Sequence, residues 1–584
     1  GNARLAGVSV RRGRWHLGGA TVELSRPTEG RPLVHLAGGE VRLEAPARRD
    51  PAAAALGDGA VDASALLRAR DLLDRLDLEA DALTVELPGW PRMTGVRGGF
   101  SDGVLDGQGI VAGGTVQVRA AFSPGHLAPD MIDVQAEAVR LAPLFARRLP
   151  PRPPRRQRLP WRLDGLLDAR LTAAALGDAP LGEGPALLDG QMRWRDGRAE
   201  IDGLAEGPVD GIALTAAGQA EWAPPGRFTF AGEAVSGPIT LRASGEVQDP
   251  LDDPRVRLEA RGDEVDCQAA WLGLPGALRG PYARAELEGH LAPRLRLDWP
   301  LYRPAELTLD LRDLITACQF TALNAAKTDW PTARFESDEP PPLDDVDWLD
   351  ARFILPVTEG VSEDATIEVG PGTPDFVPLS HLPRYVGAAM YLSEEMGFHR
   401  NNALDKGLMI RALRINLEHG RFVYGGSTVT QQLVKNLFLT RTKTLARKVQ
   451  EFAVANRITQ RISRERVLEL YVNCIEFGPD VYGIGRAARY YFGKDARRLT
   501  PREAVFLAML KPAPRRGAFM KRRGRTPSMP YWAQRAEEIF RRLVDAGYLS
   551  PAEAEAARPY ALEWRAGRYV DPDDTPPPGD APAP

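Results

Sequence analysis

Hydrophobic and polar residues alternate along most of the first 300 residues. Clean alternation runs through Ala20–Leu24, Gly114–Ala120, Gln191–Arg195, Arg227–Gly232, Ile239–Ala243 and Arg255–Ala260. A period of two puts every second side chain on one face, so the pattern predicts half-buried β-strands. Asp-Gly pairs at 106–107, 189–190, 196–197, 202–203 and 210–211 are predicted hairpin turns. Many hairpins without a strict repeat indicate one long antiparallel sheet; a pair of β-sandwiches acting as a spacer is the alternative.

The apolar spacing changes to three and four in other parts of the chain. It predicts a helix over Ala63–Leu76 and an amphipathic helix over Leu311–Lys327. After two short strands, Arg352–Leu355 and Thr366–Val369, the chain from Asp375 onward is predicted to be almost wholly helical. Two helices there carry N-terminal capping boxes, which begin at Thr500 and Ser550 and are each followed by proline.

Proline-rich segments of biased charge divide the chain. Residues 149–161 are basic and 338–350 are acidic, so both read as linkers, and the acidic tail 566–584 is predicted to be disordered. The predicted parts are therefore a β-rich region in two halves, 1–148 and 162–337, and a helical domain at 351–565. A solvated spacer is the favoured interpretation of 149–161; contact with anionic lipid headgroups is the alternative.

The net charge and the cysteine content limit the kinds of binding site and covalent link that we expect. The formal net charge of −3 gives no reason to expect nucleic-acid binding, and any basic site must be local. Cys267, Cys318 and Cys474 are widely spaced and odd in number, so we expect small buried residues without a disulfide framework. The sequence has no run of about 18 apolar residues. It begins at Gly1 rather than Met, which suggests that a signal or anchoring helix has been removed upstream.

The segment Gly425–Phe438, GGSTVTQQLVKNLF, carries the densest chemical pattern. Ser427 is a candidate helix cap, and Thr428, Gln431, Gln432 and Lys435 then share one helix face. That face offers hydroxyl, amide and ammonium groups without an acid, at a helix N-terminus that favours anions. The pattern indicates a phosphate or diphosphate site, with a solvated helix face as the alternative.

Glu451 stands at the top of an apolar helical stripe formed by Val454, Ala455, Ile458 and Ile462. A carboxylate that faces a core needs a partner, and Arg447 lies one turn back. Between 441 and 466 the chain has eight basic residues against two acidic ones. A site for negative charge and a purely structural Arg–Glu pair both fit this pattern.

Five ordered motifs between Asp375 and Lys511 resemble those of the peptidoglycan glycosyltransferases, the polymerase domains of penicillin-binding proteins. Gly425–Phe438 resembles the second motif. The others are Ser393–Phe398 (family EDxxF), Arg447–Glu451 (RKxxE), Arg466–Asn473 (ILExYLN) and Tyr491–Ala504 (YFGK…L…EAA). The resemblance covers roughly a quarter of the chain. The β-rich region resembles AsmA-like proteins, which offer a groove to lipids. This resemblance rests on the succession of short alternating segments and on no diagnostic motif.

The resemblance implies a mainly helical, lysozyme-like domain and assigns roles. Glu394 would be the catalytic base and Glu451 a second carboxylate near the leaving diphosphate. The implied substrate-binding residues are Ser427, Thr428, Gln431, Lys435, Lys443 and Arg447. No cofactor is required with certainty; Mg²⁺ or Mn²⁺ bound through substrate phosphates is compatible, and no metal ligands can be assigned.

The first motif departs from the family pattern EDxxFxxHxGxD. Glu395 replaces the aspartate, Asn401 the histidine and Ala403 the glycine, whereas Asp405 is kept. The base is therefore intact but its surroundings are altered. The sequence contains no Ser-x-x-Lys motif, so the transpeptidase of bifunctional penicillin-binding proteins is not expected.

The predicted function is polymerisation of lipid II into glycan strands with release of undecaprenyl diphosphate, at the periplasmic face of the inner membrane. Expected partners are lipid II, the growing glycan chain, membrane lipid and other cell-wall synthesis proteins, without nucleic acid. One alternative is an inactive lipid-diphosphate-binding scaffold or lipid-transfer protein. The other is a lytic transglycosylase on a related fold.

Overall fold

The chain forms two compact units. The first comprises residues 1–322, 410–424 and 442–450, and the second comprises 323–409, 425–441 and 451–584. A computed structural model describes residues 2–12, 15–26, 31–43, 75–86, 91–126, 128–145, 161–201, 203–224, 226–250, 252–312, 317–325, 352–356, 366–401, 403–419, 424–439, 442, 444–511, 517–518, 520–521, 530–558, 560 and 562–564.

A 17-stranded sheet dominates the first unit. The strands of this unit are β1 Ala3–Arg12, β2 Trp15–Ser25, β3 Leu33–Ala37, β4 Glu40–Leu43, β5 Asp77–Glu86, β6 Met93–Ser101, β7 Val104–Val111, β8 Gly114–Ala121, β9 Met131–Arg140, β10 Trp161–Ala175, β11 Ala186–Ile201, β12 Val209–Ala223, β13 Arg227–Ser236, β14 Ile239–Gln248, β15 Arg255–Gly262, β16 Val265–Asp266, β17 Glu286–Glu288, β18 His290–Leu291, β19 Arg294–Pro300, β20 Thr308–Arg312 and β21 Gln319–Ala322. From β5 to β15 each strand pairs antiparallel with the next, and β19 and β20 continue the sheet. Among the described strands, the parallel pairings are those of β5 with β3 and with β4. The prediction of one continuous, largely antiparallel sheet is therefore confirmed.

One face of this sheet is apolar from end to end. Following the strand register gives one row that crosses every strand of the sheet except β4: Ala3, Leu24, Val34, Leu78, Phe100, Leu105, Ala120, Ile132, Ala173, Leu188, Ala220, Phe230, Gly245, Leu258, Leu297 and Leu309. Directly paired residues point to the same side of a sheet. Of this row only Phe100 and Ala120 are fully buried, so most of it keeps some exposure to solvent. Val116, Val118, Phe228, Phe230 and Leu241, which are apolar residues of the alternating segments, share this face by register.

The opposite face carries paired charges. Arg170 donates to Asp133 across β9 and β10, and Arg195 donates to Asp168 across β10 and β11. These pairs are solvent exposed: the side chain of Arg195 keeps 44% of its accessible surface and that of Asp168 keeps 32%. Such pairs add little stability, so they mark this face as the solvated one.

The expected Asp-Gly turns are mostly wrong. Asp106-Gly107 lies inside β7, the pairs at 189–190 and 196–197 lie inside β11, and Asp210-Gly211 lies inside β12; Asp202 is outside the described residues. Two-residue turns are found instead at positions such as Asp102-Gly103 and Ala112-Gly113, where both residues of each pair have positive φ. Pairing across the sheet overrides the local turn preference of a dipeptide inside a long strand.

Two further expectations for this region need correction. The Leu311–Lys327 segment is not one helix, because β20 extends to Arg312 and β21 begins at Gln319. Cys267 and Cys318 are buried as expected, but they form a disulfide with their Cα atoms 5.6 Å apart. Strand β21, which follows Cys318, pairs with β17 and brings the two distant cysteines together. The predicted helix at 63–76 and the linkers at 149–161 and 338–350 lie almost wholly outside the described residues.

Helices occur in both units and range from four to 17 residues in length. The helices are α1 Leu141–Phe145, α2 Cys267–Gly273, α3 Gly276–Arg279, α4 Arg384–Leu392, α5 Lys406–His419, α6 Val429–Phe438, α7 Leu445–Arg461, α8 Arg464–Cys474, α9 Ile484–Phe492, α10 Pro501–Leu510, α11 Pro530–Asp545 and α12 Pro551–Ala556. Single 3₁₀ turns lie at Gly280–Tyr282, Pro304–Glu306, Leu379–His381 and Ala496–Arg498. The second unit also has the hairpins β22 Phe353–Pro356 with β23 Thr366–Val369, and β24 Glu476–Gly478 with β25 Val481–Tyr482.

The second unit has a dense apolar core. Tyr471, Tyr491, Phe398, Phe477 and Phe506 are among its fully buried side chains. The capping boxes predicted at Thr500 and Ser550 are both formed. Among the described residues, no helix combines the length and the apolar character that crossing a bilayer requires.

Candidate active site

Glu394 lies in a tight turn directly after α4. Helix α4 ends at Leu392, and the N–H groups of Glu394 and Glu395 both donate to the carbonyl of Tyr391, at 3.0 and 2.6 Å. The turn therefore fixes one of the two neighbouring carboxylates near solvent and the other in the interior. The Glu394 side chain remains 22% exposed, whereas Glu395 is buried.

Both carboxylate oxygens of Glu394 have protein partners. The buried Lys511, which caps the C-terminus of α10, places its Nζ 3.4 Å from Oε1. Gln432 on α6 donates through Nε2 to Oε2, and its own Oε1 accepts from the hydroxyl of Tyr471 at 2.8 Å. Burial raises the pKa of Tyr471 well above its ordinary value, so this phenol stays a neutral donor. The arrangement holds a partly exposed carboxylate in one orientation, as a general base requires.

The N-terminus of α6 is capped differently from the expectation. Thr428, not Ser427, is the N-cap: its hydroxyl accepts from the N–H of Gln431, and the Gln431 side chain accepts from the N–H of Thr428. The N–H of Val429 donates to Glu395 at 2.7 Å. Since Val429 and Gln431 use their N–H groups inside the protein, an anion would depend on side chains here rather than on these N–H groups.

The altered residues of the first motif form one connected cluster. Asn401 donates through Nδ2 to Glu395 at 3.3 Å and to Asp405 at 2.6 Å. The carbonyl of Ala403 accepts from the Thr428 hydroxyl at 3.2 Å. Ala403 has a φ of +64°, a left-handed conformation that suits the glycine of the family pattern better than alanine. The substituted motif is thus tied by hydrogen bonds to the start of α6.

Glu395 has an unusual protonation equilibrium. Burial raises its pKa to about 7, and nearby Asp405 adds to this effect. Hydrogen bonds from Val429 and Asn401 and the charge of Arg464 act in the opposite direction. Within the second unit, this buried acid titrates close to neutral pH.

The remaining predicted substrate-binding residues occupy varied settings. Thr428 and Gln431 are buried in the cap of α6, whereas Ser427 and Lys435 are half-buried. Lys443 is outside the described residues. Arg447 belongs to the first unit, where its Nε donates to the carbonyl of Thr442.

Glu451 is buried, with 1% of its surface exposed, on the same helix as the buried Val454, Ala455 and Ile458. The expected position of Glu451 on a core-facing stripe is therefore confirmed. Among the described residues, no group of three or more His, Cys, Asp or Glu is placed to hold a metal ion. The described side chains therefore do not build a metal site by themselves.

Residues of the fourth and fifth motifs hold backbone segments and helix ends of the second unit in place. Asn473 on α8 accepts from the N–H of Val377 and donates to its carbonyl, both at 2.9 Å. Glu469 accepts from the N–H of Leu379 at 2.7 Å. Lys494 pairs with the buried Glu503 at 2.8 Å. These contacts are structural, because they fix backbone and helix ends rather than expose reactive groups.

Comparison with known proteins agrees with the motif analysis. Residues 365–544 match the family model described as Transglycosylase. Over 168 residues the chain is 38% identical to the biosynthetic peptidoglycan transglycosylase of Paraburkholderia xenovorans, covering 29% of this chain and 68% of that protein. The corresponding protein of Burkholderia cenocepacia is 40% identical over 168 residues, with 29% and 66% covered. Penicillin-binding protein 1A of Aquifex aeolicus is 36% identical over 182 residues, which are 31% of this chain and 24% of that protein.

These matches and the site place the protein among the glycosyltransferases. The chain belongs to the transglycosylase family, through the matched residues 365–544, which include parts of both units. The match spans only about a quarter of penicillin-binding protein 1A and about two thirds of the two biosynthetic transglycosylases.

Three residues of the site were missed as site residues in the sequence. Gln432 was placed on the polar face of α6, but its contact with Glu394 could not be foreseen. Tyr471 lies in the fourth motif, on α8, and Lys511 follows the fifth motif, at the end of α10. Their spacing gives no signal, because only the packing of three helices brings them to one carboxylate.

Proposed function

We propose that this protein polymerises lipid II into glycan strands. The observation that carries the proposal is the partly exposed Glu394 carboxylate, held by Lys511 and Gln432 within a transglycosylase domain. The names of the two biosynthetic peptidoglycan transglycosylases support peptidoglycan as the product. The absence of a Ser-x-x-Lys motif from the sequence limits the proposal to glycan polymerisation without transpeptidation.

The proposed step is a displacement at the anomeric carbon of the donor sugar. Glu394 takes the proton of the acceptor sugar's 4-hydroxyl as its oxygen bonds to that carbon. The bond from the carbon to the lipid diphosphate breaks, and its electron pair leaves with undecaprenyl diphosphate. Lys435 is proposed to stabilise the negative charge on this leaving group. The family resemblance also assigns substrate binding to Ser427, Lys443 and Arg447, and these roles stay predictions. Mg²⁺ or Mn²⁺ bound through the phosphates remains compatible with this step.

Polymerisation of purified lipid-linked precursor by the protein tests the proposal. Long glycan strands separated on a gel, absent with Glu394→Gln, are the expected result. Muropeptide analysis of isolated peptidoglycan treated with the protein distinguishes the lytic alternative. Release of cleaved glycan without polymer, or precursor binding without any product, would contradict the proposal in favour of the lytic or the inactive scaffold alternative.

The disulfide supports a location outside the cytoplasm. Structural disulfides persist in oxidising compartments such as the periplasm, and Cys267–Cys318 is buried in the first unit. We therefore propose the periplasmic face of the inner membrane, where a lipid-linked precursor would also be found. Non-reducing and reducing mass spectrometry of protein isolated from cells tests this location. Two free thiols at Cys267 and Cys318 would count against it.

We also propose that lipid chains cover the apolar face of the sheet, as the AsmA-like succession of alternating segments suggests. The supporting observation is the apolar row that crosses the sheet and stays partly exposed. Mass spectrometry of the purified protein is expected to detect bound lipid. Phe230→Asp places a charge in the row and is expected to reduce that lipid, whereas Thr229→Asp, on the opposite face by alternation, is the matched control. Equal lipid in all three proteins would contradict this role.

A further inference from the structure

A buried lysine lies beside the proposed catalytic base. The Lys511 side chain is only 3% exposed, and its Nζ lies 3.4 Å from Oε1 of Glu394. The same Nζ donates to the carbonyl of Met390 and, at 2.9 Å, to the hydroxyl of Ser393. It also lies 5.7 Å from the ring centre of Tyr471. An ammonium has three protons to donate, and these three oxygen partners account for all of them.

Lys511 is one of three cations that meet the C-terminal end of α4. Arg535 and Arg542 on α11 donate to the carbonyls of Ser393 and Leu392. Cations suit this end of a helix because its carbonyl groups carry partial negative charge. Lys511 differs from the two arginines in that its contacts extend from the helix end to the Glu394 carboxylate. It therefore links the backbone of the turn to the reactive group.

We propose that Lys511 is a positioning residue for glycosyl transfer, which holds the Glu394 carboxylate in place through their ion pair at the start of each turnover. This inference rests on the proposed function, because it presumes that Glu394 is the base. The contact is an ion pair with a buried ammonium, so the loss of either charge leaves the other uncompensated in a poorly hydrated site.

The charges around the pair support this role. Burial lowers the pKa of Lys511, the negative charge of Glu394 opposes that change, and Arg535 strengthens it. The other groups that face the site are Arg542, the neutral Tyr471 and the buried Glu395. The ammonium and the carboxylate therefore act as counter-charges to each other, held by the surrounding backbone and side chains.

The pH profile of polymerisation by Lys511→Met tests the inference. The substitution removes the positive charge beside the carboxylate, so the acid limb should move to higher pH. Activity at pH 7 should fall at least about ten-fold. Lys511→Arg keeps the charge, so its acid limb should stay near that of the parent even if crowding slows it. A role in packing alone would lower the rate by the same factor at every pH, and that result would overturn the inference.

Lys521→Met is the matched control. Lys521 also donates to a backbone carbonyl, that of Tyr490, and lies over a tyrosine ring, 3.9 Å from its centre. Its position beside α9 predicts an unshifted pH profile. A shift of equal size in this variant would overturn the inference, because it would show that loss of any such lysine moves the profile.

A second measurement separates this inference from the proposed function. If the parent protein makes no polymer, the proposed function fails. The ion pair is then tested through the melting temperatures of Glu394→Gln, Lys511→Met and the double variant. Coupled groups predict a double variant that loses less than the sum of the single losses. Strictly additive losses would overturn the pairing, and a polymerising parent with an unshifted Lys511→Met profile would overturn the inference alone.

Discussion

The two units differ in whether their described polar and charged side chains are buried or exposed to solvent. Among the described residues, all ten buried polar or charged side chains lie in the second unit, including Glu395, Gln431 and Glu451. The sheet of the first unit keeps its charges on a solvated face, as in the Arg195–Asp168 pair. Burying a polar group costs free energy unless it is hydrogen-bonded. The second unit therefore needs internal hydrogen-bond partners for its buried polar groups, as for Glu395 and Gln431, whereas the sheet leaves its charges to solvent.

Glu394→Gln is expected to give the largest effect. The amide keeps the shape of the side chain but cannot take a proton, so polymerisation should fall by at least ~10²-fold with the fold retained. The measurement is the initial rate of polymer formation, accompanied by circular dichroism. Glu555→Gln, on the exposed face of α12, is the control and should retain the parental rate. Unchanged activity in Glu394→Gln would remove the assignment of the base.

Lys435→Ala should have the next largest effect, on the binding of a substrate-like inhibitor. If its ammonium holds the diphosphate, the loss of one charge-assisted contact should weaken binding of moenomycin, a phosphoglycolipid inhibitor, by about 1.5–3 kcal/mol. Arg447→Ala should behave similarly. Calorimetric titration measures both affinities, with Lys521→Ala as the control. Equal affinity in the parent and in Lys435→Ala would remove this lysine from the site.

The Glu395→Gln variant tests whether a buried acid of the second unit makes the free energy of unfolding depend on pH. The pKa of Glu395 is raised from 4.5 to about 7 in the folded protein, so the folded state holds this proton more tightly than the unfolded chain does. Its stabilising contribution is fully present below about pH 4.5 and is lost as the pH rises through 7. The loss amounts to at most about 3 kcal/mol.

Denaturant unfolding at pH 5 and pH 8 measures this effect in the parent and in the variant. Glu395→Gln has no proton to release, so its free energy of unfolding should fall less between the two pH values. Glu555→Gln should follow the parent. The same fall in Glu395→Gln as in the parent would show that Glu395 is not the titrating group.

Arg170→Met in the sheet is expected to have the smallest effect. Arg170 pairs with Asp133 at 2.7 Å, and its side chain keeps 51% of its accessible surface. Solvent screens such a pair, so its removal should cost at most about 1 kcal/mol of unfolding free energy. Urea unfolding measures the change, with Arg193→Met as a control on the same sheet. A loss of several kcal/mol would contradict the view that the charged face is merely solvated.

The sequence by itself determined the local features of both units. Alternation predicted the strands because a strand repeats every two residues, and it predicted which residues share the apolar face. The boxes at Thr500 and Ser550 formed as predicted, since a cap depends on residues within one turn. The ordered motifs were enough to identify the transglycosylase domain.

Only the tertiary structure decided the features that join distant segments. Pairing of β17 with β21 joined Cys267 to Cys318, and pairing within long strands cancelled most of the Asp-Gly turns. The packing of α4, α6, α8 and the end of α10 brought Gln432, Tyr471 and Lys511 around Glu394. Spacing along the chain reports neighbours within a turn or a hairpin. It does not report which side chains meet after helices pack, because that depends on the summed contacts of the whole core.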